Sequence, residues 1–242
     1  MTNPLQRTPI NRPIPWRGDA LQSHGGAFFE LLDSDQQELA TALERFPASA
    51  GQVLSPDTFK LSSLAATLLQ ISEELARGTG VAILSGFPVD RYRPEQIRTL
   101  YLGLSSYLGT ATEQNGGRGK LREIKDTSAQ GGRRVDSASA LKWHNDRADV
   151  VGLLCVREPT SGGVSRLVSS IAIHNEMLQY KPDLLEVLFD DFERYAPGDE
   201  VGRTAGTYSQ PVFMSSPQGF STRYSRTYID QAANLPDGKP LS

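Results

Sequence analysis

Cysteine is all but absent: Cys155 stands alone in 242 residues. One thiol cannot close an internal disulfide, so the chain must hold itself together by its core. With 38% hydrophobic residues it has the material for one. Cys155 lies in an apolar run, which predicts a buried small side chain. Basic excess is absent too. Lys and Arg number 25 against 28 Asp and Glu, a net charge of -3. That balance excludes an electrostatic nucleic-acid surface, and Arg133-Arg134 reads as a solvated pair in a glycine-rich loop. No apolar segment approaches the ~20 residues of a membrane-spanning helix. The N-terminus lacks the charged-then-apolar pattern of a secretion signal, so the expected location is cytoplasmic. Neither a His-Glu-X-X-His motif nor a Cys/His ligand set is present, which argues against a zinc hydrolase.

What is present starts with a Pro- and Gly-rich arm over residues 1–30, anchored by Trp16 and Phe28-Phe29. His24 in this arm reads as a loop residue. Residues 34–46 form a predicted helix, capped by Ser34 with Gln37 at the capping-box spacing. Leu61, Leu64, Leu68, Ile71 and Leu75 recur at steps of three and four, a helix stopped by Gly78. Residues 81–84 suggest a short buried strand. Pro94 opens a helix along Ile97, Leu100, Tyr101, Leu104 and Leu108, which Gly109 stops. Residues 112–120 are glycine-rich, 121–126 could form a strand, and 127–139 is a polar loop, either a lid or a plain surface excursion.

Later, strand patterns dominate. Residues 149–156 are a nearly continuous apolar run, predicting a strand buried on both faces. Pro159-Thr160-Ser161-Gly162-Gly163 marks a turn, and 164–169 alternate as a strand. Residues 171–180 are helical in pattern. A second helix starts at Pro182 and runs through Phe192. Residues 211–229 read as a hairpin, with strands 211–214 and 220–228 turning at Ser216-Pro217-Gln218-Gly219.

The chemistry concentrates at Trp143-His144-Asn145-Asp146. On an extended segment, His-X-Asp puts both side chains on one face. An imidazole nitrogen and a carboxylate oxygen then converge. This is two thirds of the 2-His-1-carboxylate set that holds Fe(II) with positions open. A hydrogen-bonded His–Asp pair at a strand end is the other reading.

With that stretch, the run 150–156, Gly162-Gly163-Val164-Ser165, the helix 171–178 and Lys181-Pro182-Asp183-Leu184-Leu185, the sequence resembles the taurine dioxygenase-like (TauD/TfdA-like) Fe(II)- and 2-oxoglutarate-dependent dioxygenases. The segments 103–109 and 220–226 match as well, and the resemblance extends from about residue 81 onward. It implies an α+β fold: a double-stranded β-helix, or jelly roll, with flanking helices, in one domain over 1–242. It implies iron ligation by His144 and Asp146. Ser165 matches a hydroxyl residue that helps bind the 2-oxoglutarate carboxylate, or it is an ordinary turn serine. Gln114, Arg223 and Arg226 are candidate substrate contacts, with solvated strand arginines as the plainer reading of the last two. The implied reaction decarboxylates 2-oxoglutarate and uses O₂ to hydroxylate a small organic molecule. The family pattern also needs a later histidine and arginine. No histidine follows His174, which lies in a predicted helix where relatives carry non-ligating residues. Residues 235–242 read as the lead-in to a further helix. The expectation is therefore a C-terminally truncated chain with late strands missing, poorly stable alone, and either an oxygenase or an inactive relative lacking the distal histidine and the cosubstrate arginine.

Overall fold

In the computed structural model, residues 8–46, 53–114, 119–125, 140–196, 205–216 and 219–236 are described. The expected loop 127–139, with Arg133-Arg134, lies outside them. So do residues 1–7 of the arm, Pro217-Gln218 of the hairpin turn and 237–242 of the tail. The chain gathers into two compact units. A helical unit comprises Pro9–Ala111 and Asp149–Glu176. A strand-bearing unit comprises Thr112–Ala148 and Met177–Ser242, with Met1–Thr8.

Helices α1 (Gly18–Ser23), α2 (Asp33–Arg45), α3 (Ser63–Arg77) and α4 (Pro94–Ser105) build the helical unit. Between them, strands β1 (Phe28–Glu30) and β2 (Ile83–Ser85) pair in parallel, Phe29 opposite Leu84. The leucine stripes converge as predicted, because three- and four-residue spacing lines one helix face. Leu39, Leu64, Leu68 and Leu100 are fully buried around Phe59. Gly103 of α4 passes so close to the Phe59 ring that a Cβ there would sit 2.6 Å from Cδ1. Glu38 of α2 caps α3 from a distance. Its carboxylate accepts from the Ser62 backbone N–H, from Ser63 Oγ at 2.6 Å and from the Leu64 N–H at 3.0 Å.

The arm is not wholly extended, since it contains α1. Trp16 does anchor it, buried with Nε1 donating to the Thr79 carbonyl at 2.8 Å, and Phe29 packs on the core. Phe28 is exposed. The α2 cap also differs: Asp35 reaches back to the Leu32 N–H at 2.9 Å, and Ser34 lies inside the helix.

Residues 149–156 and 164–169 were expected as strands, but both are irregular and mostly exposed, with Leu153 at 71% and Val164 at 80%. Cys155 is exposed with them. A strand exists only where a neighbour accepts and donates its backbone hydrogen bonds. These segments have no ladder partner among the described residues. The turn between them is present, with Gly162 and Gly163 both at positive φ, 75° and 68°.

In the strand-bearing unit, β3 (Asp191–Ala196) pairs antiparallel with β4 (Gly206–Pro211), and β5 (Phe213–Ser216) with β6 (Gly219–Thr222). Helix α5 (Ser170–Tyr180) ends in this unit, α6 (Pro182–Val187) follows, and α7 (Arg226–Ala233) packs against β3. Leu185, Val212 and Phe213 form its core, the Phe213 ring 5.1 Å from that of Phe220. Three expectations change here. Phe192 belongs to β3 rather than to the preceding helix. Residues 121–125 are irregular, not a strand. The second hairpin strand stops at Thr222, since Ser225 caps α7 by accepting the Tyr228 N–H. The described residues thus form a mixture of helices and three two-stranded ladders, with no closed barrel among them. No described helix is long and apolar enough to cross a membrane.

Candidate metal centre

Residues 143–145 run antiparallel to 224–226. His144 bridges Ser225, the Asn145 N–H donates to the Tyr224 carbonyl at 2.8 Å, and the Tyr224 N–H donates to Asn145 Oδ1 at 2.9 Å. This pairing holds the segment extended. Asn145 therefore turns to one side and its two neighbours to the other. His144 Nε2 comes to 3.6 Å from Asp146 Oδ1.

The second ring nitrogen decides what that approach means. His144 Nδ1 lies 2.7 Å from the Lys142 carbonyl, which can only accept. Nδ1 therefore carries the proton. In the neutral ring, Nε2 turns its lone pair toward the carboxylate. Two lone-pair atoms facing each other repel unless a cation sits between them. At 3.6 Å the pair is too far apart for a hydrogen bond. It lies within the ~4.2 Å separation open to two donors that each sit ~2.1 Å from one metal ion. A carbonyl holding the far nitrogen is also the usual support of a ligating histidine. The donor pair thus fits a metal. Both side chains are substantially exposed, which leaves room for further ligands.

Residues after β6 brace this segment. Arg223 Nη1 donates to the Asp146 backbone carbonyl. Asp230 of α7 accepts from Lys142 Nζ and from Arg226 Nε, each at 2.7 Å. Lys142's hydrogen bond foremost, and the Arg226 charge besides, hold the Asp230 carboxyl below its usual range against the opposing effect of burial. Lys142 is the residue whose carbonyl orients His144, so the brace reaches the ring through one residue.

Of the sequence candidates, His144, Asp146 and Arg223 come together. Arg226 is committed to Asp230. Gln114 is exposed, its N–H donating to the Gly119 carbonyl at 2.8 Å. Ser165 belongs to the helical unit, in the exposed segment after Gly163. His24 and His174 belong to that unit as well. His24 lies 3.8 Å from Glu74, and His174 is fully buried on α5 beside Asn175. Among the described residues, no group of three His, Cys, Asp or Glu side chains forms a metal site. Sequence reasoning missed Lys142, Asn145, Tyr224 and Asp230. The Ser225 cap and the Arg226–Asp230 spacing, both marks of a helix start, could have pointed to the last.

Comparison with known proteins bears on the same segment. The taurine hydroxylase-like protein SAT17 of Stachybotrys chartarum is 26% identical over 196 residues, 76% of this chain and 51% of that protein. FR-33289 synthase of Streptomyces rubellomurinus is 24% identical over 227 residues, 91% of this chain and 67% of that one. The chain spans about half the length of the first relative and about two thirds of the second. The family model described as taurine catabolism dioxygenase TauD, TfdA family matches residues 48–240, His144 and Asp146 included. With most of its length so matched, the chain belongs to the TauD/TfdA family.

Proposed function

We propose that this chain serves an Fe(II)- and 2-oxoglutarate-dependent oxygenase that hydroxylates a small organic molecule with O₂. One observation carries the reading: the Nε2 lone pair of His144 faces the Asp146 carboxylate at 3.6 Å, with Nδ1 fixed by the Lys142 carbonyl. Membership of the TauD/TfdA family supports it. His144 and Asp146 would hold the iron. Bound Fe(II) would supply the centre at which O₂ is reduced, two electrons coming from the oxidative decarboxylation of 2-oxoglutarate to succinate and two from the substrate C–H bond. The chain's part is to set the imidazole tautomer through Lys142, to fix the aspartate backbone through Arg223, and to leave the outer side of the pair open. The roles of Ser165 toward 2-oxoglutarate and of Gln114, Arg223 and Arg226 toward substrate belong to this proposal. So does one jelly-roll domain over 1–242, with the apolar segments 150–156 and 164–168 left exposed. A cytoplasmic location suits the single exposed thiol.

Anaerobic addition of Fe(II) and 2-oxoglutarate should produce the weak visible charge-transfer band of the chelate, and His144→Ala should abolish it. A folded wild-type chain that gives no band refutes the reading. A second reading rests on the two donors lacking a third partner among the described residues: a relative that holds metal without turnover. A band without uncoupled conversion of 2-oxoglutarate to succinate would select it.

A further inference from the structure

The helical unit keeps an apolar segment in water. Val150, Val151, Leu153 and Val156 are all exposed. The segment rests on the unit at Gly152, where a Cβ would sit 2.5 Å from Tyr101 Oη of α4. Its outer side is bare. Asp149, Val151, Leu153, Cys155 and Arg157 stand at steps of two, and every one is exposed. From Asp149 to Val156 no backbone group makes a hydrogen bond among the described residues. Contiguous exposed apolar side chains mark an interaction surface. Unpaired N–H and C=O groups beneath them make that surface a template for a strand.

The charges identify the strand. The apolar run lies between Asp149 and Arg157, and neither forms an ion pair among the described residues. Two copies of the segment laid antiparallel about Leu153 set Asp149 of each opposite Arg157 of the other. Val151 then meets Cys155, Val150 meets Val156, and Leu153 meets its counterpart on the two-fold axis. Opposite charges directly across a ladder stabilise it, and like charges oppose it. Neighbouring registers fail that criterion. A slip of one residue puts Asp149 against Glu158, and a slip of two the other way puts Arg157 against Arg147. A parallel, in-register pair puts Asp149 on Asp149 and Arg157 on Arg157. Pro159 has no N–H with which to extend the ladder further.

We propose that residues 149–157 are a homodimer interface, where two copies of this chain pair antiparallel about Leu153 and form the strand that neither forms alone. The same patch serves on both sides, so the contact closes on itself and stops at the dimer. Pairing covers Val151, Leu153 and Cys155 and gives the backbone of 149–156 its missing partners. None of these residues is a proposed iron ligand, so the interface stands apart from the metal reading.

Sedimentation equilibrium of the full chain, with EDTA present and loadings from about 1 to 200 μM, tests this. A reversible monomer–dimer equilibrium is expected. Asp149→Arg and Arg157→Asp each place two like-charge pairs in the dimer and should raise Kd about tenfold or more. The double reversal restores both opposite-charge pairs and should return Kd to within about threefold of wild type. Leu153→Asp sets two carboxylates on the two-fold axis and should leave monomer. All three positions are exposed, so the variants keep the fold, which far-UV circular dichroism checks. A chain still monomeric at about 200 μM overturns the proposal, and the surface then belongs to another occupant. A dimer indifferent to the single reversals, or one that the double reversal fails to restore, overturns it too. So does assembly that continues past the dimer, the mark of unspecific strand association.

Discussion

Replacing Glu38 with alanine tests whether the helical unit is tied together at the start of α3. Three donors lose their acceptor: the Ser62 N–H, Ser63 Oγ and the Leu64 N–H. No side chain of α3's own caps this end. A lost cap costs about 1 kcal/mol, and hydrogen bonds to a charged group about 1.5–3 kcal/mol. Glu38 is half-exposed, so water partly replaces what is removed. The low end of the range therefore applies, about 2 kcal/mol for Glu38→Ala. Glu38→Gln keeps a neutral acceptor and should lose about 1 kcal/mol. Burial by itself would raise the Glu38 pKa, but the Ser63 hydroxyl and the backbone of Ser62, Leu64 and Ser63 outweigh it and hold the carboxyl below its usual value. A depressed carboxylate stabilises the fold fully above its unfolded pKa, about 4.3. That contribution fades as pH falls through the folded value. Urea unfolding of wild type and Glu38→Ala should therefore differ at pH 7 and converge at acid pH. A difference below about 0.5 kcal/mol at pH 7 would refute the reasoning. So would a gap that persists unchanged in acid.

Two further outcomes follow from the same geometry. Gly103→Ala gains about 1 kcal/mol of helix propensity but drives a Cβ to 2.6 Å from the Phe59 ring. Overpacking costs about 1–3 kcal/mol, so the urea midpoint should fall, and a rise would contradict the packing described. Asp230, depressed chiefly by Lys142, should hold Lys142 above the ordinary aspartate pKa of about 3.9 and release it as pH drops through the folded value. Amide shifts of residues 142–146 should follow that titration in wild type and lose it in Asp230→Asn.

The helices were legible because their information is local. A stripe such as Leu64, Leu68 and Ile71 fits one helix face, and the helix supplies its own hydrogen bonds. Residues 150–156 carry an equally plain apolar pattern, yet a strand depends on a partner that its own residues cannot specify. The segment 220–228 failed differently. The hairpin reading carries its second strand through Tyr228, while Ser225 with the Arg226–Asp230 pair at i,i+4 marks a helix start. The cap won because it satisfies a free N–H at once. At the candidate centre, His144 and Asp146 were legible for the same local reason, a period of two. Arg223 holds Asp146 from 77 residues away, and Asp230 holds Lys142 from 88. No short-range pattern encodes contacts of that reach.

Those long-range contacts define what the centre depends on. Among the described residues, the 142–146 segment belongs to no ladder beyond the single His144–Ser225 bridge. It is located instead by Arg223, Tyr224, Ser225, Arg226 and Asp230, all in the short run from the end of β6 into α7. That run is in turn placed by the Phe213–Phe220 contact of the hairpin and by α7 against β3. The imidazole and the carboxylate thus take their spacing from the hairpin core, although the two residues carry the pair themselves. A cation held by the pair, as proposed, would have to bind the braced arrangement better than the loosened one. Its binding free energy would then also stabilise the hairpin and α7, because a site that exists only in the folded segment couples ligand affinity to the order of that segment.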